Sequence, residues 1–391
     1  MLRILYLVHN LADPAVHRRV VMLEAGGATV TLAGFRRGEA PAHSDGAPAI
    51  ELGRTEDGQF TQRLASVATA AMALAGRLRR VARPDVIIGR NLEMLALAHR
   101  ARAVFGGGIP LVYECLDIHR LLLDCGPVGT AMRGIERWFG RDAALLLTSS
   151  PAFVRGYFTG FGQSGAPVVL LPNKVLELGV PQAPAREAVP PAAGEPWRIG
   201  WFGALRCRKS LDLLAAFTRQ AEGRFEVVLR GRPAYREFAD FDGFVAAEPH
   251  MRFGGPYRNP DDLAAIYGDV HFSWAIDFFE EGLNSAWLLP NRLYEGCRYG
   301  VVPIAMAGTE TARFLSERRL GVLLEDASVD GMEAALAGIG PESYAALRQR
   351  VAVHDGAEWV AGIGDCRALV ECLEAVAGSR AVGEVLLEEA A

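Results

Sequence analysis

Residues 284–306 read NSAWLLPNRLYEGCRYGVVPIAM, and they decide how the second half of the chain folds. Pro290 has a fixed φ and no N–H to lose, so it suits a helix start. Asn291 and Arg292 then fall in the first turn, where free N–H groups and partial positive charge can hold a phosphate. Arg292 adds a full charge. Glu295 follows Asn291 by four positions and shares its helix face. A carboxylate one turn beyond a phosphate site can accept hydrogen bonds from the 2′- and 3′-hydroxyls of a ribose. Tyr299 and Gly300 end the helix, and residues 301–306 form an apolar strand. An ordinary surface helix is the competing reading of this stretch taken alone.

Outward from this helix, strands and helices alternate. Upstream, 197–202 reads as a strand ended by Gly203, 210–220 as a helix, and 225–230 as a strand closed by Gly231. A brief strand at 252–253, a helix at 261–267 and a strand at 270–276 follow. Downstream, 320–324 is a strand and the chain from about Pro341 is mostly helical. The first half repeats the pattern. Strands are expected at 3–8, 29–33, 86–89, 111–113 and 144–148, with helices at 14–24, 60–81, 93–104 and 129–140. Asp13 as N-cap and Pro14 in the first helical position mark the first helix start. Such alternation implies parallel sheets covered on both faces.

Between the halves, residues 180–196 read VPQAPAREAVPPAAGEP, with five prolines among them. Proline at that density fits neither a helix interior nor a sheet centre, so this is a linker. The expected division is a first domain at 1–178, a linker at 179–196, a second domain at 197–340 and a helical segment at 341–391 that packs back toward the first domain. The fold class is α/β, with two Rossmann-like, doubly wound parallel-sheet domains facing a cleft. Ligands of such sheets bind beyond the carboxyl ends of the strands, so two sheets suit an enzyme of two substrates.

Composition narrows the function. The chain has 391 residues, 50% hydrophobic and 22% charged, which is ordinary globular usage. Its six cysteines, Cys115, Cys125, Cys207, Cys297, Cys366 and Cys372, form no CxxC pair and no zinc spacing. Scattered cysteines suggest reduced thiols and a cytoplasmic setting. No signal-peptide pattern and no apolar run of membrane-spanning length is present. No GxGxxG or GxxxxGK[ST] pattern occurs, so dinucleotide and P-loop readings lack support. No basic stretch interleaves with aromatics, so nucleic acid is not an expected partner. Asp240-Phe241-Asp242 spells an Asp-x-Asp triplet, but chance supplies such triplets in a chain with 46 acids, and no metal site is expected.

Charge is uneven. Residues 1–180 hold 20 Lys and Arg against 15 Asp and Glu, whereas the remainder holds 21 against 31. A basic first half fits a phosphorylated substrate or an anionic membrane surface, or simply a solvated exterior. Arg77, Arg79, Arg80 and Arg83 cluster at the end of the 60–81 helix beside Met72, Leu74 and Leu78. The expectation is that this helix rests on the inner face of the cytoplasmic membrane; packing of its apolar face on the sheet is the alternative.

LPNRLYEGCRYGVVPIA, residues 289–305, resembles the donor-site signature of GT-B glycosyltransferases over its whole length. Residues 199–214, IGWFGALRCRKSLDLL, are similar to the strand–glycine–basic–helix entry of the family's second domain. The resemblance implies that Glu295 holds the donor ribose and that Gly203 lets the backbone approach the donor. Lys209, with Arg206 and Arg208 as competitors, would contact the diphosphate, beside Asn291 and Arg292. The first domain matches more loosely, through 10–32 with its Asp-Pro-x-Val-x-Arg entry, through LVYECLDIH at 111–119, and through LLPNK at 170–174. Within the family the chain resembles bacterial exopolysaccharide glycosyltransferases of the succinoglycan type.

The implied function is transfer of a sugar from a nucleotide diphosphate, uridine diphosphate by expectation, to a polysaccharide precursor, either lipid-linked or soluble. No cofactor is implied: the nucleotide sugar is a co-substrate, and Arg292, Lys209 and helix N–H groups replace the divalent ion of GT-A enzymes. An acceptor hydroxyl is a poor nucleophile and needs a base within hydrogen-bond reach. Asp117 is the first choice, with Glu114, His119 and Asp13 as alternatives; each also has a structural reading, Asp13 as a helix cap and the others as loop residues. One departure matters. Retaining members carry a second Glu eight positions before the ribose Glu, and that position here is Trp287. Glu280 and Glu281 lie further upstream, and the stereochemistry stays open. Competing readings are a nucleotide-sugar epimerase of the same build and a catalytically inactive scaffold in polysaccharide assembly.

Overall fold

The computed structural model describes residues 1–37, 49–55, 60–179 and 189–378, so most of the expected linker lies outside the described residues. These residues form two compact units. One comprises Met1–Pro172 together with 362–378, and the other is Asn173–Ala361.

The first unit is built on a sheet of seven strands: β1 (Arg3–Val8), β2 (Thr29–Arg36), β3 (Ile50–Arg54), β4 (Val86–Arg90), β5 (Leu111–Cys115), β6 (Ala143–Thr148) and β7 (Val168–Leu170). Their spatial order is β3-β2-β1-β4-β5-β6-β7, and every pairing is parallel. β1, β4 and β5 are buried along almost their whole lengths, as strands covered on both faces must be. The Pro14–Ala25 helix starts where the sequence says it should, with the Asp13 carboxylate accepting from Ala15 N–H.

The Ile363–Ala377 helix belongs to this unit although it is encoded at the far end of the chain. It packs on the end of the Pro14–Ala25 helix at Gly26, where a Cβ would come within 2.2 Å of the Cys366 carbonyl oxygen. Only glycine permits that approach.

The second unit has a two-stranded ribbon, β8 (Val175–Leu176) with the late strand β15 (Val360–Ala361), and a six-stranded parallel sheet. The six are β9 (Trp197–Leu205), β10 (Phe225–Pro233), β11 (Met251–Phe253), β12 (Phe272–Trp274), β13 (Val302–Met306) and β14 (Val322–Leu324), in the order β11-β10-β9-β12-β13-β14. β9 does not stop at Gly203 as the sequence suggested; it runs on to Leu205, paired with β10 throughout. The close pairing is possible because Gly231 has φ +136°, and a Cβ there would lie 1.9 Å from the Gly203 carbonyl oxygen. Ile199, Trp201, Trp274 and Ile304 fill the core on the sheet.

Both sheets therefore follow the doubly wound order in which the first strand pairs with the second on one side and the fourth on the other. Such a sheet has its switch point between those central strands, and the crevice opens at their carboxyl ends. In the first unit those ends are His9 and Asn91; in the second they are Arg206 and Ala275.

The Phe60–Leu78 helix packs as the alternative reading of its apolar face has it. Leu74 and Leu78 are fully buried in the core with Leu5, Leu7 and Leu97, so its apolar face is already used by the sheet. Arg77 donates to the Glu51 carbonyl, and Arg83 to the carbonyls of Phe105 and Gly107. Among the described residues no helix is long and apolar enough to cross a membrane.

Candidate active site

In the second unit, the helix read from the sequence spans Asn291–Arg298 with Pro290 as N-cap and no side-chain cap on its first-turn N–H groups. Gly296 sets its depth: a Cβ there would meet the Ser273 Cβ at 2.9 Å, so the helix lies directly on β12. Ser273 Oγ donates to the Arg292 carbonyl at 3.0 Å. Glu295 is thereby carried into a buried position, only 5% exposed. Its Oε1 accepts from Asn259 Nδ2 and its Oε2 from the Tyr267 hydroxyl, both at 2.9 Å. A carboxylate so fixed keeps lone pairs for further donors. Burial, and then the charge of Glu295, push the Tyr257 phenol up, so it remains a protonated donor. Gly203, at φ +104°, would bring a Cβ within 3.9 Å of that phenol oxygen.

Arg292 aims toward the carboxyl end of β12. Its Nη2 donates to the Ile276 carbonyl at 2.6 Å, while its Nε is buried with no partner. An N–H of a guanidinium left unpaired in a buried position is costly unless a ligand takes it. Asp277 joins this group to the next. Burial alone would raise its carboxyl, but Arg292 and then Arg206 hold it below the usual range. Arg206 pairs with Asp277 at 3.2 Å, and Lys209 meets both oxygens of Glu281 at 2.7 Å. A cavity of about 550 Å³ opens beside them, lined by Lys209, Asp277, Glu281, Thr309 and Ser328 among others. The loop between β12 and the helix thus sets Glu281 on the basic side chain, while Trp287 is only half-buried. Asn291 is exposed at the first helical position, and Arg208 pairs with Asp212 one turn along its own helix.

The carboxyl edge of the first sheet carries a chain of charges. Glu114, at the end of β5, is completely buried; Arg19 Nε lies 2.8 Å and Arg90 Nη1 3.6 Å from it, and the Tyr6 hydroxyl donates to it. Burial alone would raise its pKa, yet the two guanidiniums hold it below the ordinary range. A carboxylate enclosed in this way is a structural counter-ion, which argues against the base role the sequence allowed it. Arg90 also reaches Asp13 at 3.6 Å, and Asp13 reaches His9 Nε2 at 3.8 Å. Burial lowers the His9 pKa to about 4 against the opposing charge of Asp13, with Arg90 and Arg37 adding to the lowering, so its ring is neutral at neutral pH. Buried polar atoms without a hydrogen-bond partner at this edge include His9 Nδ1, Thr55 Oγ1, Asn91 Oδ1 and Thr148 Oγ1. Asn91 also sits at φ +69°, a conformation that strains a non-glycine residue and that is concentrated at functional sites.

Asp117 lies in the exposed turn after β5, and its own backbone carbonyl accepts from Cys115 Sγ. His119 caps the Arg120–Leu123 turn through Nδ1. The structure therefore brings Glu295, Arg292, Arg206 and Lys209 to one edge of the second sheet, and Asp13 and Glu114 to one edge of the first. Sequence reasoning missed Tyr257, Asn259, Tyr267 and Asp277 in the second unit and His9, Arg90 and Asn91 in the first. His9 and Asn91 had one available signal, a polar residue directly after an apolar strand. Asp240 serves as the N-cap of the Phe241–Ala247 helix, accepting from Gly243 N–H.

Comparison with known proteins bears on the family and the fold. Residues 3–174 match the model of a glycosyl transferase 4-like domain. The succinoglycan biosynthesis protein ExoL of Rhizobium meliloti is 60% identical over 376 residues, covering 95% of this chain and 93% of that protein. Among solved structures, the sucrose-phosphate synthase of Thermosynechococcus elongatus superposes with a TM-score of 0.64 at 15% identity, over 97% of both chains. HepE of Anabaena, solved with UDP and glucose, superposes with a TM-score of 0.61 at 14% identity, over 95% of this chain and 98% of that one.

Proposed function

The chain belongs to the GT-B glycosyltransferases related to succinoglycan and exopolysaccharide biosynthesis enzymes, and from that premise we propose that it transfers a hexosyl group from a uridine diphosphate sugar to a hydroxyl of a polysaccharide precursor. The donor is assigned to the second unit and the acceptor, a lipid-linked glycan, to the first. One observation carries the reading: a buried Glu295 carboxylate, fixed by Asn259 and Tyr267, one turn inside a helix whose Arg292 presents a buried, unpartnered Nε. A ribose and a diphosphate are what such a pair would hold. The solved complexes of HepE with UDP and UDP-glucose favour uridine as the base.

In the reaction the acceptor oxygen bonds to the anomeric carbon as the bond from that carbon to the diphosphate breaks. The electron pair leaves with the diphosphate. Arg292, Arg206, Lys209 and the first-turn N–H groups supply positive potential where that charge develops. The acceptor proton passes to a carboxylate or imidazole of the first unit.

Thermal shift against a panel of nucleotides and nucleotide sugars tests the assignment, because a ligand that binds only the folded state raises the midpoint. Uridine diphosphate and one of its sugars are expected to stabilise. No response to any nucleotide would favour an inactive scaffold. Consumption of the donor with no acceptor product would favour an epimerase.

Two variants separate the roles. Lys209→Met is expected to raise the Kd for the uridine diphosphate sugar by roughly tenfold, the loss of one charge-assisted bond. Its stability should hardly move, because the Lys209–Glu281 pair is solvent-exposed, and such pairs contribute little. Unchanged donor affinity would remove Lys209 from the diphosphate site. Asp117→Asn is expected to lower kcat by about 100-fold or more, the usual contribution of a general base, with donor Kd unchanged. Wild-type turnover in that variant would shift the role to the His9–Asp13 pair.

A further inference from the structure

The Asn291–Arg298 helix is short, and the direction of its first-turn N–H groups has to be fixed from outside it. Pro290 has no N–H to give, and no side chain caps the helix. The two carbonyls just before Pro290 are gripped instead. Asn173 Nδ2 donates to the Leu289 carbonyl and Thr311 Oγ1 to the Leu288 carbonyl, both at 2.9 Å. Asn173 and Leu289 are 116 positions apart, so this bond is tertiary and not part of a turn. Thr311 is buried on the Glu310–Arg318 helix.

The far end of the helix is held from the same stretch of chain as Asn173. Arg298 Nε and Nη2 donate to the two oxygens of Glu177 at 2.7 and 3.1 Å. These side chains are only 15% and 13% exposed, so the two parallel bonds lie largely out of water. The lengths agree. A helix of eight residues is about 12 Å long, and an extended segment covers about 13 Å from its first residue to its fifth. Residues 173–177 therefore reach from one end of the helix to the other.

That stretch is itself anchored. Val175 N–H donates to the Trp359 carbonyl at 2.8 Å and Glu177 N–H to the Ala361 carbonyl at 3.0 Å, which is the pairing of β8 with β15. Val175 is buried in one apolar cluster with Tyr267 and Tyr299. Tyr267 is the residue whose hydroxyl holds Glu295, and Tyr299 lies under the Arg298 guanidinium at 5.4 Å.

We infer, on the donor assignment above, that Asn173, Thr311 and Glu177 are positioning residues: they brace the Asn291–Arg298 helix at both ends and aim its first-turn N–H groups at the diphosphate. Gly296 rests the helix on Ser273 near one end, and a rod seated at one point can pivot. Asn173 and Thr311 stop the pivot at the phosphate end, and Glu177 stops it at the other. An N–H bond weakens steeply as it leaves the line to its acceptor, so a small tilt costs phosphate contacts. The ribose is affected less, because Glu295 has its own fixings in Asn259 and Tyr267.

Titration of the full chain with uridine, which has the ribose and no phosphate, and with uridine diphosphate tests the brace. Thr311→Val removes a hydroxyl without changing charge. It is expected to weaken uridine diphosphate by about tenfold and uridine by less than about twofold, because only the phosphate contacts are charge-assisted bonds to the helix. Asn173→Ala should show the same split; if it does not fold, the other two variants decide. Glu177→Gln tests the sign. Removing a negative charge would by electrostatics alone tighten the binding of a diphosphate, whereas loosening the brace weakens it, by roughly threefold. Unchanged affinity for uridine diphosphate in Thr311→Val, a tighter complex in Glu177→Gln, or equal weakening of both ligands overturns the proposal. A wild type that binds neither ligand overturns the donor assignment and the brace with it.

Discussion

A Glu295→Ala protein is expected to fold and to lose its affinity for uridine diphosphate by about 100-fold or more. The magnitude follows from two hydrogen bonds to a charged acceptor, each contributing roughly 1.5–3 kcal/mol when desolvated. Isothermal titration of the nucleotide measures it. The substitution also leaves the Tyr267 hydroxyl and the Asn259 amide without their acceptor, so some loss of stability accompanies it. Glu295→Gln keeps the volume and one carbonyl acceptor and should lose less on both counts. Undiminished binding of the nucleotide by a folded Glu295→Ala would end the assignment of the ribose site.

The second large effect is on stability. Removing Arg19 from the buried Arg19–Glu114–Arg90 group should destabilise the first unit by about 3–5 kcal/mol, because the fully buried Glu114 carboxylate loses its nearer counter-charge and keeps only Arg90 at 3.6 Å and the Tyr6 hydroxyl. Arg19→Met, followed by hydrogen exchange at the amides of β1 and β5, is the cleanest measurement; protection equal to wild type would show that water already reaches the group.

The same group has a pH signature. The folded pKa of Glu114 is depressed, so its contribution is complete above the ordinary carboxylate range and is lost as pH falls through its lowered value. His9 and His271, both held near 4, act earlier. Burial is the leading cause in each, and it keeps both rings neutral in the folded state. The unfolded chain takes up their protons near pH 6.5, so stability declines from there toward pH 4. Urea midpoints across that range should fall in the wild type and fall less in Glu114→Gln at the acid end.

What the sequence disclosed followed from local rules. The Asp13–Pro14 start, the Pro290 start and the apolar runs of β1, β4 and β5 are each decided by residues that touch one another along the chain. The positions it misjudged depend on partners far away. Glu114 reads as a polar residue at a strand end, and nothing within the segment reveals that Tyr6 and Arg19, 108 and 95 positions away, will enclose it. The helix alone places Glu295, but the partners that fix it, Asn259 and Tyr267, lie 36 and 28 positions upstream. The Pro127–Gly140 helix inverts the usual inference altogether. Its period is helical, yet the buried side is the polar one, because Tyr113 and Tyr157 supply hydroxyls that only the folded sheet brings into line. Strands of two or three residues, such as β7, β8 and β15, carry too little pattern to stand out.

The helix seated on Gly26 has a consequence for how the molecule is made. A ribosome delivers Asn173–Ala361 as one unbroken segment, able to fold as soon as it emerges. The first unit begins earlier and finishes later, because the face of the Pro14–Ala25 helix at Gly26 stays bare until Ile363–Ala377 is synthesised. For most of translation the nascent chain therefore exposes the seat of Cys366 and Val370, where a chaperone would find it. Truncation just before Gly362 should leave a sound second unit attached to a first one that cannot close.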